Sequence, residues 1–439
     1  MMEIFYIGVK QMADKAIVPL QAYTVDTDLE KNFVKVFLLL RDMFVLSTLL
    51  FFALRLDSYL FRAGSLPVAP IVLMAAWMIW IWTLSAISTM FERGYSLVFT
   101  RAMPIILPFI AIMGVSWVGI FLEGAYLDDN YKSVLMPTLD FGIFLTGIII
   151  GAMRISKRKW SLALALGLCC ILGTVFIDVI NPGTFSRLDY RASGLYEQPN
   201  IAAFTMVLFL TAILRWEKKS LNLTDMIFAT ACGIGVFFTF SRGGVVEFLL
   251  IACLYWYNLR NKERSYFIIK GLVFLIFLGG IIVFLMPDYI SRLEILQFKS
   301  TRLDWFTGDV GGAVSISDSR VKILDEYLPL IAASPVLGNG SGYINSMWLG
   351  PHNIYIAMWV ENGIVGLLSY IWLLVALLVV NKRMNNYCGV AMIILIMAYG
   401  FLTHNLLDER PFLLLTSILT TRAISAEIMG AEKNETERG

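Results

Sequence analysis

Long apolar runs constrain the fold of this chain more than any other feature. Short loops that carry most of the charged residues separate these runs. An apolar helix needs about 20 residues to cross the ~30 Å hydrocarbon core of a bilayer. In lipid, every backbone polar group must also find its partner within the protein. The sequence therefore predicts an all-α, polytopic membrane protein.

The composition supports this class and excludes others. Of 439 residues, 58% are hydrophobic and only 15% are charged, whereas soluble domains carry about 25% charged residues. The net charge of +2 is too balanced for a nucleic-acid partner, and no basic run alternates with aromatic residues. The five cysteines lie in apolar segments without metal-ligand spacing, which indicates packing residues. Membrane lipids are the expected surroundings.

We count about twelve candidate transmembrane helices. The first is interrupted by Arg41 and Asp42. Spans 1–9 are predicted within residues 1–287, a long helical periplasmic loop over 288–352, spans 10–12 within 353–428 and a polar cytoplasmic tail over 429–439. The predicted centres are Val45, Trp77, Ala111, Phe144, Leu168, Val207, Gly233, Ile251, Phe277, Trp372, Leu395 and Thr416.

Basic residues in the short loops predict the orientation. Fifteen lie in one set of alternate loops and seven in the other, and the richer set faces the cytoplasm in membrane proteins. Both termini are then cytoplasmic, and the long loop faces outward. The richer set comprises Arg93, Arg101, Arg154, Lys157, Arg158, Lys159, Arg215, Lys218, Lys219, Arg260, Lys262, Arg264, Lys270, Lys382 and Arg383. The poorer set comprises Arg55, Arg62, Lys132, Arg187, Arg191, Arg242 and Arg410.

Within the outer loop, the spacing predicts one helix from Asp318 to Ala333. The residues Val321, Leu324, Leu328 and Ile331 would form its apolar face. The glycines of PVLGNGSGY then end this helix and form a tight turn.

Four outward-facing residues are suited to chemistry on a lipid diphosphate: Arg191, Arg242, Arg320 and His352. Arginine offers a planar set of donors that pairs with phosphate oxygens and stays charged. In TFSRGG, the two glycines after Arg242 would let a phosphate approach the backbone. Histidine is the side chain best suited to accept a proton near neutral pH.

Structural roles are equally open for these residues. An arginine at the end of a span is often a snorkelling anchor, and His352 could cap a helix or form a hydrogen bond. Glu361, an acid in an apolar run, is either functional or a cap for a helix that starts at Gly363 after a break. For His404, a satisfied hydrogen bond near Asp408 and Arg410 is the favoured interpretation.

Two further acids stand in apolar runs without an obvious partner. Asp140 has none in the sequence, and Glu247 could pair with Arg242, which it follows closely. The acidic pairs Asp26/Asp28 and Asp128/Asp129 are weak metal motifs, since the first pair precedes the first span on the opposite side. The sequence therefore favours a mechanism with no metal and no cofactor.

Taken in order, several motifs resemble the O-antigen ligase family. His352-Asn353 followed by Gly363 and Gly366 resembles the signature of that family. The segments RASGLYEQPNIAAF, TFSRGG and SRVKILDEYLPLIAASPVLGNGSGY resemble three further family elements. The resemblance runs from about Arg191 to Leu378 and is specific for the ligase/polymerase superfamily.

The resemblance implies a GT-C-like, all-helical transferase in the bacterial inner membrane. Such an enzyme transfers a polysaccharide from undecaprenyl diphosphate to a lipid A-core hydroxyl in lipopolysaccharide biosynthesis, without metal or ATP. His352 matches the family's base, and Arg191 and Arg242 match arginines that contact the diphosphate. Arg320 matches a loop arginine, with Arg302 as a substitute, and Asn353, Glu361 and His404 are supporting candidates.

Three other functions fit the sequence less well than the ligase. O-antigen or exopolysaccharide polymerases use the same donor and often carry motifs of an arginine, ten intervening residues and a glycine. That motif is absent at all five arginines that could start it: Arg187, Arg191, Arg292, Arg302 and Arg320. Protein O-oligosaccharyltransferases often carry a soluble portion after the last span, for which the tail is too short. A polytopic transporter usually shows two related halves with broken helices or charges at the midplane. In this sequence a single long loop breaks the symmetry after span nine, and the candidate charges cluster outside.

Overall fold

A computed structural model of the protein describes residues 28–89, 95–123, 131–186, 191–218, 220–260, 263, 325–347 and 350–436. Helices make up most of this part of the chain, and no strand occurs in it. Residues 302 and 320 lie outside the described ranges, so the predictions on Arg302 and Arg320 lie outside them too.

The helices of the described ranges are numbered here in chain order. They are α1 (Asp28–Thr48), α2 (Leu56–Arg62), α3 (Pro70–Ser88), α4 (Tyr95–Glu123), α5 (Tyr131–Ala152), α6 (Lys157–Ile180), α7 (Pro199–Ile213), α8 (Leu223–Phe238), α9 (Arg242–Asn258), α10 (325–333), α11 (Ile354–Arg383), α12 (Tyr387–Tyr399) and α13 (Arg410–Thr436). A π-helical segment, Leu49–Ala53, continues α1.

Every predicted span centre within the described ranges falls inside a helix, and the centre at Phe277 lies outside them. Seven of the described helices are long and apolar enough to cross a membrane, and α7, α8 and α12 are shorter apolar helices. The protein is therefore an all-α membrane protein. Arg41 and Asp42 fit inside α1 because they pair with each other and Lys159 pairs with Asp42.

The connections form two opposite ends of the helix bundle. At one end, Arg55 pairs with Glu409 and Arg410 pairs with Asp57. We call this the His352 end, because the connection before α11 lies there too. The other end, named the Lys159 end, carries the Arg101–Glu427 pair and the Lys157–Glu217 pair. Within the described ranges, the two loop sets distinguished by their basic residues thus lie at different ends.

Close helix contacts hold the bundle around the candidate site. Gly147 and Gly151 of α5 face α13, where a Cβ atom would overlap Ser417 or the Ile418 carbonyl. Small residues four apart allow this approach of two membrane helices. Helix α7 is buried on almost all sides, and its Phe204 ring stacks on Tyr399 of α12. Neighbouring helices thereby fix the positions of the connections at the His352 end.

Helix α10 confirms only part of the predicted loop helix. It covers 325–333, and the earlier residues of the prediction lie outside the described ranges. The predicted apolar face is wrong at Leu328, which is 50% exposed. Ile331 of the predicted face is buried, and Tyr327 is buried with it. One helical turn separates these two residues, and their shared side meets the rest of the protein.

Candidate active site

Helix α11 is broken at Gly363, and the preceding loop fills the break. Gly363 has φ 63° and ψ −168°, which is far from helical. The amide of Ile364 donates to the Pro335 carbonyl, and the Gly340 amide donates to the Glu361 carbonyl. The PVLGNG turn thus satisfies backbone groups that the break would leave without partners. A Cβ atom at Gly363 would overlap the Val336 carbonyl, so glycine is needed here.

Of the two interpretations of Glu361, the cap for a helix starting at Gly363 is wrong, although the helix break associated with it is present. The Glu361 carboxylate accepts a hydrogen bond from the Ile344 amide at 3.1 Å. It therefore binds the loop rather than the helix start at Gly363. This contact holds the turn after PVLGNG against α11.

His352 directly precedes the start of α11. Asn353 is the N-cap residue, and its side-chain oxygen accepts from the Tyr355 and Ile356 amides. His352 is exposed and has a left-handed backbone with φ 48°, which is uncommon for a residue with a side chain. The Ile354 amide donates to the Gly400 carbonyl, which ties this turn to the connection after α12. Asn353, not His352, therefore caps the helix.

His404 lies beside His352, and the satisfied hydrogen bond predicted for it is wrong. The two imidazole rings are 5.5 Å apart between centroids, in an edge-on arrangement. His404 Nδ1 is buried and has no hydrogen-bond partner among the described residues. Arg410, a predicted neighbour, pairs with Asp57 instead. Burial, together with the nearby His352, lowers the pKa of His404 to about 4.

Arg191 and Arg242 meet at the connection between α8 and α9. The Arg191 guanidinium donates to the carbonyls of Thr239 and Phe240 at 3.1 and 3.3 Å. Ser241 caps α9 by accepting from the Gly244 amide, and Arg242 is the first residue of that helix. Both arginines therefore lie where the positive end of the helix dipole of α9 adds to their charge.

The suggested pair between Arg242 and Glu247 is wrong. Glu247 is 1% exposed, and neither of its carboxylate oxygens has a hydrogen-bond partner in the described part of the chain. Its side chain lies on the buried side of α9, close to Gly243.

The connection between α8 and α9, where Arg191 and Arg242 meet, is called the arginine turn. The connection after α12 links this turn to the two histidines. A Cβ atom at Gly243 would lie 3.0 Å from Leu402 Cδ1. His404 follows two residues later, and its ring packs so closely on Gly350 that no side chain fits there. The structure thus brings Arg191, Arg242 and the two histidines to one end of the bundle.

A cavity of about 360 Å³ opens at the His352 end, between α4, α5, α11 and two connections. Sequence reasoning did not assign Ser116, Asn362 or Asp408 to a site, although a polar residue within an apolar run was a usable signal. The polar groups around the cavity include Ser116, Asp140, Glu361, Asn362, His404 and Asp408.

Asp408 is the most exposed of the cavity acids. Its side chain faces the open space, while the surrounding protein and the neighbouring Glu409 raise its pKa to about 6. Among the described residues, no group of three His, Cys, Asp or Glu side chains has the arrangement of a metal site. The described site offers hydrogen-bonding groups and charge.

Comparison with known families finds a match for one part of the chain. Residues 227–371 match a family model described as O-antigen ligase. This part of the chain belongs to the O-antigen ligase family. The resemblance predicted from the motifs is therefore confirmed, and the protein is a glycosyltransferase-type enzyme of the ligase or polymerase kind. A search of curated proteins finds no match.

The O-antigen ligase match covers only part of the site. It begins in α8, includes Arg242, His352, Asn353 and Glu361, and ends in the second half of α11. Arg191 and His404 lie outside the matched residues, but their contacts with the Thr239–Phe240 backbone and with the His352 ring bring them to the matched part.

Proposed function

We propose that the protein is an O-antigen ligase of the inner membrane. It transfers a polysaccharide from undecaprenyl diphosphate to a hydroxyl of lipid A-core at the periplasmic face. The family match supports the reaction class. The observation that carries the site assignment is the position of Arg191 and Arg242 around one helix start, at the end of the bundle that holds His352.

The proposed reaction is one displacement. The acceptor hydroxyl oxygen attacks the anomeric carbon of the first sugar, the bond from that carbon to the diphosphate oxygen breaks, and His352 takes the hydroxyl proton. Undecaprenyl diphosphate leaves with the bonding electron pair. Arg191 and Arg242 stabilise its charge by donating hydrogen bonds to phosphate oxygens. Attack from the side opposite the leaving group inverts the anomeric centre.

Arginine charge takes the place of a metal ion in this proposal. The start of α9 supplies further backbone donors next to Arg242, and helix N-termini favour phosphate groups. Arg320 and Arg302 are proposed as further donors from the outer loop. Asn353 supports His352 by fixing the start of α11.

Reconstitution of the purified protein tests the reaction. Lipid-linked polysaccharide is supplied with lipid A-core or with a second lipid-linked polysaccharide, and the product is analysed by gel electrophoresis and mass spectrometry. We expect polymer-bearing lipid A-core. Longer lipid-linked chains would show the polymerase reaction instead and would overturn the ligase assignment.

Two variants test the assigned roles. His352→Ala is expected to lower the transfer rate by about 10²–10⁴-fold, the usual contribution of a general base, with donor binding unchanged. Arg242→Ala is expected to weaken donor binding by at least about tenfold, since hydrogen bonds to charged groups contribute ~1.5–3 kcal/mol. Arg158→Ala, exposed at the Lys159 end, is the matched control. Full activity of His352→Ala would refute the base.

A further inference from the structure

The cavity at the His352 end contains a buried acid that forms no hydrogen bond with the described residues. Asp140 of α5 is 7% exposed and lines the cavity. Among the described groups, it interacts with Arg410 through charge and not through a hydrogen bond. A buried carboxyl group without a hydrogen bond is costly, so this position suits a ligand with hydrogen-bond donors.

A buried amide on the facing helix offers the opposite kind of group. Asn362 is 3% exposed, and its side-chain oxygen accepts from the Ser116 hydroxyl at 2.8 Å. Its nitrogen contacts only the Met358 sulfur, at 4.0 Å, which is a weak acceptor. The cavity therefore presents donors and acceptors together, as a ligand with several hydroxyl groups requires.

The lining of the cavity disfavours a phosphate. Asp140, Glu361 and Asp408 line it, and its described lining contains neither lysine nor arginine. The nearby arginines Arg55 and Arg410 already pair with Glu409 and Asp57. A phosphate would thus meet carboxyl groups and no basic side chain here, whereas the turn at Arg242 offers it positive charge.

The rest of the lining suits a sugar ring. One wall of the cavity is apolar and consists of Phe109, Ile112 and Met358. The C–H face of a sugar can pack against such a wall. The volume of about 360 Å³ falls in the range of ~300–1,000 Å³ typical of small-molecule sites. His404 lines this space, and its ring is 5.5 Å from the His352 ring.

We propose that this cavity binds the terminal sugar of the acceptor and selects an uncharged or amino sugar over a phosphorylated one. The identity of the bound sugar as acceptor rests on the proposed function, because only a transferase needs a second glycan next to His352. Asp140 and Asn362 hold the sugar hydroxyls, and Asp408 faces the mouth of the cavity.

Binding of three simple probes tests this selectivity. The full-length protein in nanodiscs is mixed with octyl glucoside, octyl glucosaminide or octyl glucoside 6-phosphate, each below its micelle-forming concentration. Ligand-detected NMR measures each affinity. We expect the first two probes to bind at least about tenfold more tightly than the phosphate, a difference that corresponds to ~1.4 kcal/mol.

Asp140→Asn and Asp408→Asn replace a carboxyl group by an amide with little change in shape and should each reduce that difference, while Glu427→Gln, exposed at the Lys159 end, should leave it unchanged. Equal binding of the phosphate by the unaltered protein, no binding of any probe, or no effect of either aspartate variant would overturn the proposal. A protein that has lost only its transfer activity would still show these differences in probe affinity, so the two failures are distinguishable. Probe binding without any transfer from a lipid-linked donor would refute the transferase instead.

Discussion

At the scale of single residues, His404 contributes more than its sequence context indicates. Its segment, THNLLDERP, predicts a hydrogen bond to a nearby acid or arginine. In the structure Arg410 pairs with Asp57, and the His404 ring lies beside His352 and lines the cavity. The choice between these arrangements depends on Gly350, whose lack of a side chain leaves room for the ring. Such packing between distant segments cannot be predicted from the residues adjacent to His404 in the sequence.

The depressed pKa of His404 predicts a pH dependence of stability. The folded pKa is about 4 and the ordinary value is 6.5. Between these values the unfolded chain binds a proton that the folded protein does not, so the stabilisation from neutral His404 is complete above 6.5 and is lost as the pH falls towards 4. We expect His404→Gln to lose less thermal stability over this interval than the unaltered protein.

Thermal unfolding in detergent at several pH values measures this difference. Carboxyl groups also titrate in the interval, but they do so in both proteins, and only the difference between the two curves reports His404. Parallel curves would show that the imidazole titrates at its ordinary pKa.

At the scale of elements, local patterns predicted helices well and their breaks less well. Apolar length and glycine positions are local properties, so helix centres such as Val207 and Ile251 are correct. A broken helix near Gly363 was anticipated, but its filling by the PVLGNG turn was not. The pairing of Gly340 with Glu361 joins distant parts of the chain, and the sequence holds no periodic signal for it.

The break in α11 gives a prediction about a single glycine. Gly363→Ala adds a Cβ atom that overlaps the Val336 carbonyl, at a φ of 63° and a ψ of −168°. A backbone conformation of this kind costs ~1–3 kcal/mol in residues with a side chain, and displacement of the turn adds to it. We expect a lower unfolding temperature and a large loss of transfer activity.

Gly173→Ala is the matched control for that substitution. Gly173 is a helical residue of α6, and no heavy atom lies within 4 Å of the position that an alanine Cβ would occupy there. Alanine at this position should therefore be neutral or stabilise by up to about 1 kcal/mol. If Gly363→Ala behaves like Gly173→Ala, the break does not hold the site together.

At the scale of the whole molecule, the two ends of the bundle divide the chemistry. The His352 end holds the arginine turn, the two histidines and the cavity, and buried ion pairs join its connections. The Lys159 end holds basic loops and the Arg101–Glu427 pair. This division follows from the alternating direction of consecutive helices along the chain.

The proposed orientation places the His352 end outside the cytoplasm, and surface labelling tests it. Single cysteines replace Ser65, exposed beside α2 at the His352 end, and Arg158, exposed at the Lys159 end, in a chain whose native cysteines are replaced by alanine. A membrane-impermeant maleimide is added to spheroplasts. We expect Ser65→Cys to react in intact spheroplasts and Arg158→Cys only after lysis, because the loops richest in basic residues remain in the cytoplasm. The reverse pattern would place His352 and the arginine turn on the cytoplasmic side, where the proposed acceptor is not presented.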